Sequence, residues 1–216
     1  MALSYVTYNS TLCSPGTNTL LFGATVTAAT DIIVLMYAAN TEGSAITASD
    51  NLNGAYNNIG TNEWDSTNGY FLATYFVQAS ATGDPTVTFD VTGAYGTLIA
   101  MQFTGFAGIA TADSGANYYN YSTSAAYLVA TAVTAFNNEI MLALTQYSTS
   151  LAATPSGWGS PWYNQGMYAI GASAGTNFDI NQAFTTSGKF DIIVRGIYDN
   201  TAPTAYPLPS QIYIMP

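Results

Sequence analysis

The side chains best suited to covalent chemistry are the two carboxylates of Glu63-Trp64-Asp65. Glycoside hydrolysis needs paired acids, one to protonate the leaving oxygen and one as nucleophile or base. Ser66, Thr67 and Asn68 follow, so no third carboxylate extends the run, and its surroundings read as a loop. The chain has no histidine, which removes Ser-His-Asp and Cys-His catalysis and His-ligated zinc. Lys189 follows Ser187-Gly188 but lacks the glycine pattern and helix start of a phosphate cradle. Asp50, Asn51 and Asn53 offer oxygens to a calcium ion beside Gly54, but no bidentate acid follows, and an Asx-turn is the simpler reading. Trp158, Trp162 and Tyr163, spaced by Gly157, Gly159 and Pro161, suit either stacking on a sugar ring or, the favoured reading in a chain with 17 tyrosines, filling a core or a protein interface. Trp64, Tyr118 and Tyr119 join them as candidate glycan or partner contacts. No catalytic residue, metal ligand or cofactor is assigned.

Strands must position these groups. Residues 70–79, 86–91 and 95–104 read as three consecutive strands with turns at Gly83-Asp84-Pro85 and Gly93, a meander that needs a covering layer. In the middle one, Val87, Phe89 and Val91 share one face. Residues 3–27 hold short strands broken at Ser14-Pro15-Gly16, and 32–37 are apolar on both faces, as in a strand covered on both sides. Residues 40–68 and 111–124 read as long polar connections, and 125–133 as mostly strand despite a competing helical spacing.

The halves echo each other. Val26-Thr27-Ala28 matches Val133-Thr134-Ala135, and at the same offset Ile33-Val34-Leu35 falls on Ile140-Met141-Leu142. Residues 97–103 likewise resemble 191–197. Two tandem domains or two halves of one sandwich would both produce this; the missing linker near 108–125 favours one sandwich over 1–198, with halves of about 1–108 and 125–198. Val87, Phe89, Ile99, Met101 and Phe103 are then expected to pack against Ile192 and Val194. Residues 199–216 differ: Pro203, Pro207, Pro209 and Pro216 predict an extended segment, and Ile212, Tyr213 and Ile214 an alternating strand-like piece. That piece either closes the chain's own sheet or is an arm that adds a strand to a neighbour.

Charged residues make up 6% of the chain, against about 25% in ordinary soluble domains. Few charges means little to keep sheet edges apart, as in a protein that lives packed against other subunits. Two basic residues against twelve acids give a net charge of −10, which argues against nucleic acid and anionic membrane as partners. The single cysteine, Cys13, excludes an intrachain disulfide and reads as a small buried or semi-exposed thiol rather than a reactive one. The N-terminal residues lack the basic and apolar regions of a signal peptide, which predicts synthesis in a host cytoplasm.

One resemblance draws these features together. Thr30-Asp31-Ile32-Ile33-Val34-Leu35, then Asp50-Asn51-Leu52-Asn53-Gly54-Ala55-Tyr56, Gly83-Asp84-Pro85-Thr86-Val87-Thr88-Phe89 and Phe103-Thr104-Gly105-Phe106 resemble the lectin-like jelly-roll domains of tailed-phage virion proteins and some bacterial surface proteins, over residues 18–198. The resemblance implies an all-β, concanavalin-like jelly-roll sandwich of two antiparallel sheets with pseudo-duplicated halves and an extended Pro-rich tail. It also implies a non-enzymatic virion structural protein: a capsid decoration (cement) protein or a neck or tail appendage. Its partners would be other virion proteins and further copies of itself, in a homo-oligomer such as a trimer. A carbohydrate-binding receptor-recognition module is the alternative, and a glycoside hydrolase a distant third. The opening Glu-x-Asp of Glu63-Trp64-Asp65 resembles the catalytic strand of jelly-roll glucanases, without its third acid.

Overall fold

The computed structural model describes residues 2–40, 46–93, 95–130, 134–149, 151–162, 165–171 and 173–200, with side chains at 46, 116, 117, 161 and 162 outside that description. The elements are β1 (Ser4–Cys13), β2 (Gly16–Leu21), β3 (Asp31–Ala39), β4 (Ile46–Asp50), β5 (Gly54–Ala55), β6 (Asn57–Asn58), β7 (Glu63–Asp65), β8 (Tyr70–Gln78), β9 (Thr86–Val91), β10 (Gly96–Thr104), β11 (Ala110–Ala130), β12 (Glu139–Tyr147), β13 (Gly159–Trp162), β14 (Gly166–Gly171) and β15 (Ile180–Asp199). No helix occurs among the described residues.

These strands form three antiparallel sheets. The central one has the order β1-β10-β3-β8-β6, with β7 also on β8. The upper sheet runs β2-β9-β4-β5 and the lower β11-β15-β12-β14-β13. The all-β sandwich with pseudo-duplicated halves is therefore the architecture observed, stacked in three layers. The longer strands of the first half alternate between the two sheets, with β1, β3, β8 and β10 in the central one and β2, β4 and β9 in the upper, which is jelly-roll winding.

β3 shows why the stack forms. It is apolar at every position from Ile32 to Tyr37 and buried along its whole length, because both faces are covered. On one face Ile33, Leu35 and Tyr37 pack with Leu20, Val87, Phe89 and Val91 of the upper sheet. On the other, Ile32, Val34 and Met36 pack with Ile140, Leu142, Leu144, Ile193 and Ile197 of the lower sheet. Each such side chain contributes about 1.5–3 kcal/mol on leaving water. A third core lies on the far face of the lower sheet, where Met141, Ile192 and Val194 meet Leu128, Ile180 and Phe184. The last three belong to the paired ends of β11 and β15, which bulges near Ser122 and Ala125 allow to fold over that face.

Several expectations need correction. The strands at 70–79, 86–91 and 95–104 do not form a meander: β8 and β10 flank β3 in the central sheet while β9 crosses to the upper one. Their turns were legible, but the strand that would separate β8 from β10 was not. Residues 111–124 are not a loop but most of β11, held by its register against β15 despite Gly115 and the polar content. Ile192 and Val194 face the outer core; Ile193 and Ile197 face the central sheet, and Val87 and Phe89 pack on the upper side. A one-residue step along a strand reverses its face, so an offset off by one misassigns a whole core.

The duplication extends to register, but one residue away from the sequence echo that set Ile33 on Ile140. Met36 pairs with Ile99 in the central sheet as Leu144 pairs with Ile193 in the lower, and Asp31 pairs with Thr104 as Glu139 pairs with Tyr198. What the first half builds as β1 plus β2 and as β9 plus β10, the second builds as two continuous strands, β11 and β15.

Candidate functional site

Where the halves meet, polar chemistry concentrates along one seam. Arg195 lies on β15 facing the central sheet and is 1% exposed. Its Nε donates to Ile59 O at 2.9 Å, its Nη1 to Tyr118 O and Val194 O at 3.1 and 3.0 Å, and its Nη2 to Thr61 O at 2.7 Å and Glu63 Oε1 at 3.4 Å. All five guanidinium donors are thereby engaged within the chain. Burial lowers the Arg195 pKa against the opposing pull of Glu63, and burial raises that of Glu63 against the pull of Arg195.

Asp65, on β7 of the first half, meets Asp191, on β15 of the second, within hydrogen-bonding reach. Asp191 Oδ1 accepts from Asn68 Nδ2 at 2.6 Å and its Oδ2 from the Tyr119 hydroxyl at 3.2 Å. Asp65 Oδ1 accepts from Thr67 N at 2.7 Å, while its Oδ2 has no donor. Burial is the largest cause pushing Asp191 up to about 6; Asp65 adds to it, and Asn68 and Tyr119 oppose it. Asp191 is thus the acid partner that Glu63-Trp64-Asp65 lacks in sequence, brought in by the fold.

The pair is not arranged for glycoside cleavage. Retaining enzymes hold their carboxyls about 5–5.5 Å apart with the sugar between them, whereas these touch each other. Asp191 is 1% and Asp65 7% exposed. Two open concavities lie elsewhere, one of about 250 Å³ beside Leu12, Tyr95 and Gln146 and a more open one of about 450 Å³ beside Gln78 and Ile109.

A second acid pair sits on the outer face of the lower sheet. Glu139 Oε2 accepts from Ala135 N at 2.7 Å and Phe136 N at 3.0 Å, and Asp113 Oδ1 from Gly115 N at 2.8 Å. The remaining oxygens, Glu139 Oε1 and Asp113 Oδ2, have no N–H donor, and the two carboxyl groups lie within hydrogen-bonding reach of each other.

The aromatic candidates do not converge on one surface. Trp158 is buried in the outer core with its indole N–H donated to Phe178 O at 3.1 Å, so its ring is not free to stack on a sugar. Trp162 lies in β13, its side chain outside the described residues, as is Tyr163. Trp64 is 36% exposed at the edge of the central sheet. Tyr118 packs against the outer core while Tyr119 stacks on Tyr121 with ring centroids 5.9 Å apart. Asp50 accepts from Leu52 N, Asn53 N, Asn53 Nδ2 and the Tyr56 hydroxyl, which is the Asx-turn, and no cluster of three or more metal-ligating acids or thiols occurs among the described residues. Pro203, Pro207, Pro209, Ile212, Tyr213 and Ile214 lie outside the described residues.

Sequence reasoning passed over one further surface. Among the described residues β1 pairs only with β10, so its other side is there a sheet edge ten residues long without a charge or a proline. Val6, Tyr8 and Leu12 stand exposed along it, Leu12 by 81%. Comparison with protein-family models, curated proteins and solved structures finds no match for this chain.

Proposed function

We propose that this chain is a non-catalytic structural component of a virus particle, of the capsid decoration (cement) or neck or tail appendage kind, acting through contacts with neighbouring subunits and further copies of itself. The observation that carries the assembly part is the open edge of β1. Natural sheets blunt such edges with lysine, proline or inward charge, and here Val6, Tyr8 and Leu12 line it instead. The chain's low charge extends the same surface chemistry elsewhere. Residues 202–216 suit an arm laid on such an edge in a neighbour, by strand addition. Assignment to a virion rests on the jelly-roll resemblance, with which the winding of the first half agrees.

The test combines particle co-sedimentation with solution mass. Wild-type protein is expected to sediment with assembled particles and to form oligomers. The double variant Val6→Lys, Leu12→Lys is expected to keep the wild-type melting temperature and lose association, as is a chain lacking 202–216. Undiminished association of the edge variant would rule out β1 as the contact.

A further inference from the structure

We propose that this protein is built to work in acid: its fold holds two buried pairs of carboxyl groups that each keep one shared proton, and its surface offers almost nothing for acid to charge. The proposal is independent of which partner the chain binds.

The geometry comes first. Glu139 is 0% and Asp113 8% exposed, and Gly196, opposite both Asp113 and Met141 in the ladder, contributes no side chain between their strands. Around them stand backbone N–H groups of Ala135, Phe136 and Gly115, with Tyr198 opposite Glu139 and Asp199 beyond it. Around Asp65 and Asp191 stand Asn68, Tyr119, Tyr70 and Glu63, the last tied to Arg195. No cation neutralises either pair: Arg195 spends its donors on carbonyls and Glu63, and Lys189 is exposed. Two carboxylates within hydrogen-bonding reach in a dry site resist ionising together, so in acid one of each pair holds a proton that satisfies the otherwise orphaned oxygens of Asp65, Asp113 and Glu139.

Burial, with Asp113 adding to it and the Phe136 and Ala135 N–H groups opposing, pushes Glu139 from 4.5 up to about 8, and Asp191 moves from 3.8 to about 6. Both folded values lie above the unfolded ones. The stabilisation is therefore fully present below the unfolded values and is lost as pH rises, first through about 6 and then through about 8. Ordinary acid denaturation runs the other way, driven by native carboxylates forced to protonate and by mounting positive charge. Here, with the twelve acids neutral, only Lys189, Arg195 and the α-amino group remain charged, and there is no histidine to add to them.

The test is thermal and urea unfolding of the full chain from about pH 3 to 9. Stability should be highest at about pH 4 and below and fall toward alkaline pH, the unfolding constant rising up to about tenfold per pH unit for each group titrating. Glu139→Gln should flatten the upper part of the fall and Asp191→Asn the lower. Infrared spectroscopy of the wild type gives a readout that needs no variant: a protonated buried carboxyl band at neutral pH that disappears on alkalinisation. Stability that is flat or rises from about pH 5 to 9 would overturn the proposal, and so would absence of that band.

Discussion

Arg195 of the second half occupies the register position that Met101 occupies in the first: Arg195 lies opposite Leu142 as Met101 lies opposite Val34, and both side chains are fully buried. The duplicated fold has placed a guanidinium where its other copy places a thioether. Its five donors convert that position from packing into a tie between the carbonyls of residues 59–61 and the lower sheet.

Arg195→Ala is expected to cost about 3–5 kcal/mol, the range for breaking a buried ion pair from one side. Arg195→Met, which fills the volume, should cost less; Glu63→Gln, at a contact of 3.4 Å and with a side chain 25% exposed, about 1 kcal/mol or less. Urea unfolding monitored by circular dichroism measures all three. A neutral Arg195→Ala would mean that the tie contributes nothing.

Trp158→Ala should destabilise by about 3–5 kcal/mol, as expected for a large aromatic deleted from a core. Its indole N–H already has a partner in Phe178 O, so Trp158→Phe should recover much of the packing but not that bond. Calorimetry on the two variants separates the contributions, and an unchanged melting temperature for Trp158→Ala would contradict its burial in the outer core.

Cys13 should resist thiol reagents in the native protein. It is 3% exposed, and burial pushes its thiol up to about 11, so the reactive thiolate is scarce at neutral pH. Titration with a disulfide reagent should give one equivalent only after denaturation. Rapid reaction of the native protein at neutral pH would show the β1–β2 corner open.

The strands were legible in the sequence where side chains alternate or run apolar without a break. Thr86 to Val91 reads as a half-buried strand because Val87, Phe89 and Val91 face the core in strict alternation. Asp31 to Ala39 reads as central for the opposite reason. Sheet membership was not legible, since nothing in 70–104 announces that β9 leaves for another layer while β3, from far upstream, slots between β8 and β10. The acidic seam was half legible: Glu63 and Asp65 lie either side of Trp64 in sequence, but Asp191 arrives only through the packing of the halves. Trp158 was legible as a core or interface residue in preference to a sugar platform, and it lies in the outer core. That Trp158 and the other aromatic candidates do not share one surface was not legible, because glycine and tryptophan in alternation look the same in a binding platform and in a core turn.

β15 has one further consequence. It runs for 20 residues, paired with β11 between Ile180 and Asp199 and with β12 on its other side from Phe190 to Tyr198. A pull applied to the residues that follow Asn200 acts along the strand axis and loads both ladders in shear, where many hydrogen bonds must fail together rather than one after another. Tension at that terminus therefore falls on the mechanically strongest strand of the lower sheet.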